Sequence, residues 1–390
     1  VRDAQENLVT TSSATVSATI SSGTLTGTTS VAAVSGVATF TGLGKTGLVG
    51  SKTITFASTG ITSATQTFTL TYGAVAGLAV SAPSSVAAGA VWTTQPVVTV
   101  QDASGNTVTS STATITVSIN SGNLTGSTSL AAINGVADWT RNGVTALGKN
   151  GTIGAKTLTF ASTGLASDTT QQFTLTHGVA TKIAIATGVA SGSTVNDQAF
   201  GSQPVIRVED QDSNLVSTGA DATRAVTVSM ASGLSGTATL NASGGTATFA
   251  GLKYTGLIGT YTVTYSSSGF TDLTESITVT YGSASRVGFG TQAAGAVNGV
   301  AFTTQPIAKL VDADNNVTNT GGGALTITVG TGVGGGTAVL SGTTSKPLSG
   351  SVADFTGAGI TLTGKADTYT LTYAFTGYAS ATQDVVLTTG

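Results

Sequence analysis

Two short segments of the chain place oxygen-bearing side chains at alternating positions, in the pattern Asp-x-Asp-x-Asn. The side chains are Asp210, Asp212 and Asn214 in the first segment and Asp312, Asp314 and Asn316 in the second. Alternating oxygen ligands in a tight loop suit Ca²⁺, although the Glu at the twelfth position of an EF-hand loop is missing. Asp and Asn are also the usual residues of hairpin turns, because they bond to nearby backbone and tolerate left-handed conformations. The pattern therefore predicts either a calcium site or a purely structural turn.

The sequence has few of the residue types that catalysis by a nucleophile requires. Nucleophilic catalysis by a triad needs a base beside Ser or Cys, and the sequence has one His and no Cys. That residue, His177, occupies a position that Tyr72, Tyr281 and Thr389 fill in three similar segments. A catalytic base would not be interchangeable with Tyr and Thr. We therefore expect His177 to be structural, the chain to have no catalytic or cofactor-binding residues, and the protein not to be an enzyme.

The composition narrows the class of protein further. Of 390 residues, 53 are Gly, 8% are charged and 39% are hydrophobic, with a net charge of -3. Such a chain has no basic surface for nucleic acid, and its hydrophobic content is too high for a disordered tail. The lack of Cys excludes disulfides and thiolate metal sites. The longest nearly apolar run, around Gly73–Val80, is too short to span a bilayer.

Several markers recur and divide the chain into four copies of one unit. The closing segment Leu-Thr-Tyr-Gly, with variations, ends at glycines that are 105, 104 and 108 residues apart. A Gln-Pro pair and a Gly-x-Ala-x-aromatic segment recur between these glycines. We therefore predict domains at 1–73, 74–178, 179–282 and 283–390. A period of this length is too long for a solenoid coil and matches one β-sandwich domain.

The elements that carry these motifs are predicted to be strands. Apolar residues alternate strictly with Thr and Ser, as at Val16, Ala18 and Ile20 and again at Ile115, Val117 and Ile119. This alternation gives a strand with one buried and one wet face. Gly, Ser, Asn and Asp punctuate the chain about every eight to twelve residues, which is typical of all-β proteins. Aromatic residues recur at equivalent positions, which indicates core packing.

The same residues resemble bacterial immunoglobulin-like (Ig-like) repeats of the Big and invasin type. The resemblance rests on the Gln-Pro-(Val/Ile) strand with its Asp-x-x-x-Asn turn, the Gly-x-Ala-x-Phe strand and the closing Leu-Thr-Tyr-Gly, and it covers nearly the whole chain. It implies tandem β-sandwiches of cell-surface proteins such as adhesin stalks, S-layer subunits and extracellular fibres, and it implies no catalytic site. The expected fold is all-β, with four tandem Ig-like sandwiches in an extended rod.

The first repeat is shorter at its start than the others. Val1–Asn7 aligns with Val100–Asn106, before which the second repeat has 26 further residues, Ala74–Thr99, that include a first strand near Leu78–Ser81. In one interpretation the sequence is a window on a longer repeat array. In the other, the first domain has an open edge that accepts a strand from another chain.

These observations and the resemblance together predict a non-enzymatic structural protein of the prokaryotic cell exterior. We expect a rod, filament or surface-layer segment that self-associates, with no membrane span and no nucleic-acid partner, and with Ca²⁺ as the one conceivable cofactor. The alternative is an adhesin stalk or binding module that recognises a glycan or a cell surface. A loop at Arg141–Ala155, five residues longer than its counterpart in the first repeat, is the feature that favours this alternative.

Overall fold

The computed structural model describes residues 1–81, 83–166, 168–189 and 194–390, with the backbone alone for 168–170. In these residues the regular structure is β-strand, apart from one 3-10 turn at Ala220–Thr223. The predicted all-β fold is therefore confirmed. None of the described segments forms a helix long and apolar enough to cross a membrane.

The described residues form two compact units. One comprises Val1–Val179 together with Asp210–Asn214, and the other comprises Ala180–Glu209 together with Leu215–Gly390. The division into four domains stays a prediction, and the four sequence repeats are used below only to name equivalent positions.

The described residues of the first two repeats form sixteen strands. In repeat 1 they are β1 (Thr15–Ile20), β2 (Thr24–Thr26), β3 (Ser30–Ala32), β4 (Gly44–Thr46), β5 (Gly50–Ser58) and β6 (Ile61–Leu70). In repeat 2 they are β7 (Val75–Ser81), β8 (Val86–Ala87), β9 (Val97–Asp102), β10 (Thr114–Ile119), β11 (Asn123–Thr125), β12 (Ser129–Ala131), β13 (Val136–Asp138), β14 (Gly148–Asn150), β15 (Gly154–Ala161) and β16 (Asp168–Thr176).

The last two repeats form nineteen strands in the part of the chain that the structure describes. In repeat 3 they are β17 (Ala180–Thr187), β18 (Thr194–Val195), β19 (Val205–Asp210), β20 (Ala225–Ser229), β21 (Leu234–Ser235), β22 (Thr239–Asn241), β23 (Thr246–Thr248), β24 (Lys253–Tyr254), β25 (Gly259–Ser266) and β26 (Leu273–Thr280). In repeat 4 they are β27 (Arg286–Thr291), β28 (Ile307–Val311), β29 (Ala324–Val329), β30 (Ala338–Ser341), β31 (Ser345–Pro347), β32 (Val352–Asp354), β33 (Thr361–Gly364), β34 (Asp367–Ala374) and β35 (Ala381–Leu387).

Repeat 2 is a sandwich of two sheets with one shared core. Its smaller sheet has the order β13-β9-β7 and its larger sheet the order β12-β10-β15-β16-β8. Neighbouring strands are antiparallel except β16 and β8, which are parallel. Val98 and Val100 of the smaller sheet pack with Ile115, Val117 and Phe160 of the larger one. The period-two alternation therefore places one face of each sheet in the core.

Repeats 3 and 4 have the same arrangement, except that in repeat 4 an isolated parallel bridge, Val297–Thr388, replaces the short parallel strand of the larger sheet. Their smaller sheets are β17-β19-β23 and β27-β28-β32, and their larger sheets are β18-β26-β25-β20-β22 and β31-β29-β34-β35. Each repeat has its own buried core, in which an aromatic residue of the larger sheet, Tyr265 or Tyr373, has no exposed surface. Each of the four repeats also has a short two-stranded ladder that the sequence did not predict. These ladders are β2-β4, β11-β14, β21-β24 and β30-β33.

Repeat 1 has no three-stranded sheet among its described residues. Beside the ladder β2-β4 these residues form one sheet, β3-β1-β5-β6. The sequence predicted that the first strand and the beginning of the Gln-Pro strand are missing here, and their counterparts in repeat 2, β7 and β9, belong to the three-stranded sheet. Phe40 and Phe56 are consequently only half-buried, whereas their counterparts Trp139 and Phe160 are fully buried. A cavity of about 390 Å³ lies over this face, and Phe40, Phe56 and Ile61 are among the residues that line it.

The Gly-x-Ala-x-aromatic segment begins at a tight hairpin turn that explains its glycine. Asn134 and Gly135 have φ of 50° and 76°, the left-handed values of a type I′ turn. A Cβ added to Gly135 would lie 2.5 Å from the carbonyl oxygen of Val108, so a side chain there meets backbone. Ser351 takes this place in repeat 4, and its buried hydroxyl accepts a hydrogen bond of 2.5 Å from the N–H of Thr320.

Candidate functional site

The acidic segments singled out in the sequence are tight turns that a carboxylate closes. In repeat 2, Asp102 ends β9, and its Oδ1 accepts the backbone N–H groups of Ser104 (2.8 Å) and Asn106 (2.9 Å). The Asn106 side-chain amide also donates to this carboxylate, at 2.9 Å to Oδ2. Gly105 has a φ of 81°. The turns that begin at Asp210 and Asp312 have the same bonds, at 2.9 to 3.0 Å for the backbone donors.

The asparagine that ends each turn also contacts a glycine loop of the preceding repeat. The Asn106 Nδ2 donates to the carbonyl oxygen of Gly47 (3.0 Å), and its Oδ1 accepts the N–H of Val49 (2.8 Å). Asn214 makes the same two bonds with Gly151 (2.9 Å) and Ile153 (3.0 Å), within the first compact unit. The corresponding pair for Asn316 lies in the second unit, with Gly256 at 2.8 Å and Ile258 at 2.9 Å.

The aspartate that begins each turn holds the closing glycine of the preceding repeat. The N–H of Gly73 donates to Asp102 Oδ2 at 2.8 Å. The equivalent distances are 2.7 Å from Gly178 to Asp210 and 3.0 Å from Gly282 to Asp312. We call Asp3–Asn7, Asp102–Asn106, Asp210–Asn214 and Asp312–Asn316 the junction turns, and Gly47–Gly50, Gly151–Gly154 and Gly256–Gly259 the receiving loops. A junction is the contact of one turn with one loop and its closing glycine.

The middle residue of the turn varies, and its contact varies with it. Ser104 Oγ accepts the N–H of Gly47 at 3.3 Å, and Asp212 Oδ2 accepts the N–H of Gly151 at 2.9 Å. In the third junction Asn196 lies between the two partners. Its Oδ1 accepts the N–H of Gly256 (2.9 Å), while its Nδ2 donates to Asp314 (2.8 Å).

These contacts keep the aspartates ionised. The N–H of Gly73, followed by the Asn106 amide, lowers the pKa of Asp102 to about 2. Burial raises the pKa of Asp210 and of Asp312, but the hydrogen bonds from Gly178 and Gly282 and from the turn asparagines outweigh it, and both pKa values lie below normal. The side chains of all three aspartates are almost fully buried.

The first junction turn has the same internal geometry without a receiving loop. Asp3 Oδ1 accepts the N–H groups of Gln5 (3.0 Å) and Asn7 (2.9 Å), and Asn7 Nδ2 donates to Asp3 Oδ2 at 3.2 Å. Glu6 has a φ of 67°, as Gly105 does at 81°. Asp3 and Asn7 are exposed, whereas Asn106, Asn214 and Asn316 are at most 6% exposed.

The six side chains predicted to bind calcium do come together, three in each turn. Their carboxylate oxygens accept hydrogen bonds from N–H groups, which is the geometry of the structural turn that the sequence left open as the alternative. In the described part of the chain no three His, Cys, Asp or Glu side chains form a group that could hold a metal ion. The calcium site at Asp210, Asp212 and Asn214 and at Asp312, Asp314 and Asn316 stays a prediction, as does its alternative, the structural turn.

Sequence reasoning missed the receiving loops. A signal for them existed, because Gly-x-x-Gly begins 26, 27 and 26 residues before the closing glycine in the first three repeats, at Gly47, Gly151 and Gly256. The closing segment itself ends in the glycine that the aspartate holds. His177, next to that glycine in repeat 2, contacts the Gly178 carbonyl oxygen through Nδ1 at 2.9 Å.

Comparison with known proteins gives similarity at the level of solved structures. No family model matches the chain, and no curated protein matches it. The Escherichia coli adhesin FdeC is similar over 82% of this chain and 100% of its own, with 15% identity and a TM-score of 0.36. Invasin, a bacterial integrin-binding protein, is similar over 99% of this chain and 74% of its own, with 13% identity and a TM-score of 0.30.

Two other similar structures have lower TM-scores, and this chain covers a smaller share of their length. Domains 4–9 of the surface layer protein SbsC match 99% of this chain and 60% of their own length, at 15% identity and a TM-score of 0.20. A Bacteroides vulgatus β-glycosidase matches 53% of this chain, which spans only 25% of that enzyme. At such identities and TM-scores these likenesses carry no argument about activity. The kinds of protein that the sequence motifs resemble, namely invasin, an adhesin and an S-layer protein, are thus among the structures to which this chain is similar.

Proposed function

We propose that the chain is a non-enzymatic structural protein of the prokaryotic cell exterior, and that its Ig-like repeats form a segment of a rod, a filament or a surface layer. The observation that carries the proposal is the junction, which occurs three times with the same hydrogen-bonding groups. A site that serves a ligand needs to occur once. A contact that joins successive repeats has to occur at every joint.

The chemistry of the junction supports a location outside the cell. Its bonds join carboxylates and amides to backbone N–H and C=O groups, so they involve no thiol. The sequence has no Cys, and its low charge and Thr-rich strand faces suit a solvated polymer that is indifferent to redox conditions.

Assembly by strand addition is the finer part of the proposal, and the uncovered face of repeat 1 supports it. In repeat 2 the face opposite Trp139 and Phe160 is filled by Val98 and Val100 of β9, which have no exposed surface. In repeat 1 the equivalent aromatics, Phe40 and Phe56, line an open cavity instead. An extended segment with branched aliphatic residues at alternating positions fits this face, as β9 fits its own.

Electron microscopy of the native cells with an antibody against the chain tests the proposal. We expect labelled filaments or a labelled layer outside the cell, and label confined to the cytoplasm would contradict it. In the same preparation, a synthetic peptide of residues 94–102 should compete for the open face and shorten the assemblies. The matched control is the same peptide with Val98→Asp and Val100→Asp, which has the wrong side chains for an apolar cavity. If both peptides leave the assemblies intact, strand addition is wrong while the structural role stands.

The alternative is an adhesin stalk or binding module, and the same apolar cavity is the observation that favours it. The longer loop of repeat 2, Arg141–Ala155, gives the binding module less support, because this loop packs against its own sandwich. Leu147 is fully buried, and its N–H donates to Gln95 Oε1 at 2.8 Å. Binding of the chain to a specific sugar on a glycan array, abolished by Phe40→Ala, would favour the binding module.

A further inference from the structure

We propose that the start and the end of each of repeats 2, 3 and 4 form a clamp by which the repeat resists tension along the chain. We call the contacts of Thr176, Thr280 and Thr388, the closing threonines, with the start of their own repeat the clamps. The inference rests on the proposed function, because a segment of a rod or filament outside the cell is pulled through the chain that enters and leaves each repeat. It goes beyond that function, because it names the bonds that bear the load.

Each clamp joins segments that run in parallel. In repeat 2, β8 pairs in parallel with the end of β16, and in repeat 3, β18 pairs in parallel with the end of β26. In repeat 4 an isolated parallel bridge joins Val297 to Thr388. Parallel segments run in the same direction, so the chain enters the clamp at one end and leaves it at the other. Tension therefore pulls the two segments past each other along their length.

In repeats 2 and 4 the start of the repeat meets the last strand at a second place. Gly77 forms a parallel bridge with Ala166, which precedes β16. Arg286 forms the equivalent bridge with Ala379, which precedes β35, and the N–H of Val287 donates to the Ala379 carbonyl oxygen at 2.8 Å. The start of each of these repeats therefore contacts both ends of its last strand.

The closing threonine makes the hydrogen bonds of each clamp. Its carbonyl oxygen accepts a backbone N–H from the start of the repeat, and its hydroxyl donates to the carbonyl oxygen two residues before that N–H. The N–H groups are those of Ala88 (2.9 Å to Thr176), Asn196 (2.8 Å to Thr280) and Asn298 (2.9 Å to Thr388). The hydroxyls donate to Val86 at 3.4 Å, Thr194 at 3.3 Å and Ala296 at 3.3 Å. The clamp thus gives the Thr of the closing segment a role that the junction does not use.

Tension reaches the clamp before it reaches the inner strands of the repeat. The chain enters and leaves a repeat through its start and its end, so the inner strands bear load only after one of these two detaches. Sliding paired strands past each other loads all of their hydrogen bonds together, and the bonds share the force. A hairpin that is pulled apart at its open end instead loses its bonds one at a time. We therefore expect the clamp to set the rate at which a repeat unfolds under force.

Single-molecule force spectroscopy of the whole chain, held by its two ends at constant force, tests the proposal. In the triple variant Thr176→Pro, Thr280→Pro and Thr388→Pro, each clamp loses a hydroxyl and a backbone N–H, which in repeat 4 donates to Ala296 at 3.0 Å. All three threonines are exposed, so the proline rings stay outside the core. Forced unfolding follows the unfolding rate. We expect the variant repeats to unfold about tenfold faster than those of the unmodified chain at the same force, because each loses two hydrogen bonds.

The matched control weakens the same three repeats outside the clamp. Val117→Ala, Val228→Ala and Ile327→Ala truncate buried side chains at one equivalent position, on β10, β20 and β29, which pair with neither side of the clamp. Lost core volume destabilises a fold strongly, so in a urea titration this control should unfold at a lower concentration than the proline variant. Under force the order should reverse, and the control should unfold more slowly. If the clamp were only one more part of the fold, the two variants would rank alike in both measurements.

A milder triple variant, Thr176→Val, Thr280→Val and Thr388→Val, keeps the backbone N–H and loses the hydroxyl alone. Its repeats should unfold under force at a rate between those of the unmodified chain and the proline variant, and it replaces the proline variant if circular dichroism shows the latter to be unfolded. The clamp is wrong if the valine variant unfolds under force at the rate of the unmodified chain, or if the alanine control unfolds faster than the proline variant. Either result leaves the structural role standing, because labelling outside the cell does not depend on the clamp.

Discussion

At the scale of single residues, the two tryptophans differ in what their indole N–H groups contact. Both lie in repeat 2 and both are 1% exposed. Trp139 Nε1 donates to the carbonyl oxygen of Ser127 at 2.6 Å, whereas Trp92 Nε1 has no partner among the described residues and its ring packs edge-on against Phe173. The equivalent residues of repeats 3 and 4 are Phe in both positions, so either site accepts a phenyl ring.

We therefore expect Trp139→Phe to destabilise repeat 2 more than Trp92→Phe does. Each change loses similar apolar volume, but only the first removes a hydrogen bond, the one to the carbonyl oxygen of the half-buried Ser127, and such a bond contributes about 0.5–1.5 kcal/mol. Because these are the only two tryptophans in the chain, the one that remains reports the unfolding of repeat 2 by its fluorescence in a urea titration. Equal unfolding midpoints for the two variants would contradict this argument.

Residue types could predict the aromatic positions but not the junction contacts. Phe40, Trp139, Phe249 and Phe355 recur in one phase of an alternating strand, which is enough to place them in a core. The partners of Asn106 in the preceding repeat are backbone groups of Gly47 and Val49. Every residue except proline has such groups, so nothing in a side chain marks them. The available hint was that Asn stays in all four junction turns while the middle residue changes from Gln5 to Ser104 to Asp212.

At the scale of elements, one turn performs two tasks. Asp210 Oδ1 closes the turn on its own backbone, and Oδ2 receives the N–H of Gly178. The sequence predicted the turn, because Asp and Asn have local preferences that act within a few residues. It also predicted the strands, because alternation is local. It could not choose between a calcium site and a structural turn, because that choice depends on which donors approach the carboxylate from another repeat.

The hydrogen bonds of the turns lead to a specific expectation about calcium. The oxygens of Asp210 and Asp312 already accept N–H groups, so we expect excess EGTA to leave the thermal unfolding of the chain unchanged. A melting temperature that falls with EGTA and returns with added Ca²⁺, but not with Mg²⁺, would instead establish the calcium site. Asp212→Asn and Asp314→Asn should then abolish the response, while Asp138→Asn, at the end of β13 and outside the Asp-x-Asp-x-Asn pattern, should not.

At the scale of the whole molecule, repetition makes three junctions respond to acid together. The pKa of Asp102 is lowered to about 2, chiefly by the N–H of Gly73, and those of Asp210 and Asp312 are also lowered. A carboxyl group whose pKa is lower in the folded chain stabilises it above the ordinary pKa near 4, and loses this effect as the pH falls through the folded value. Stability should therefore be constant from about pH 7 to 5 and fall from about pH 4 toward pH 2.

A triple variant, Asp102→Asn, Asp210→Asn and Asp312→Asn, separates the junctions from the remaining carboxylates. Its amides cannot titrate, so we expect a lower melting temperature at pH 7 but a smaller loss between pH 4 and pH 2. The matched control replaces Asp272, Asp384 and Glu209 by their amides, and it should follow the acid response of the unmodified chain. If the triple variant loses as much stability in acid as the unmodified chain, the junction carboxylates are not what acid disrupts.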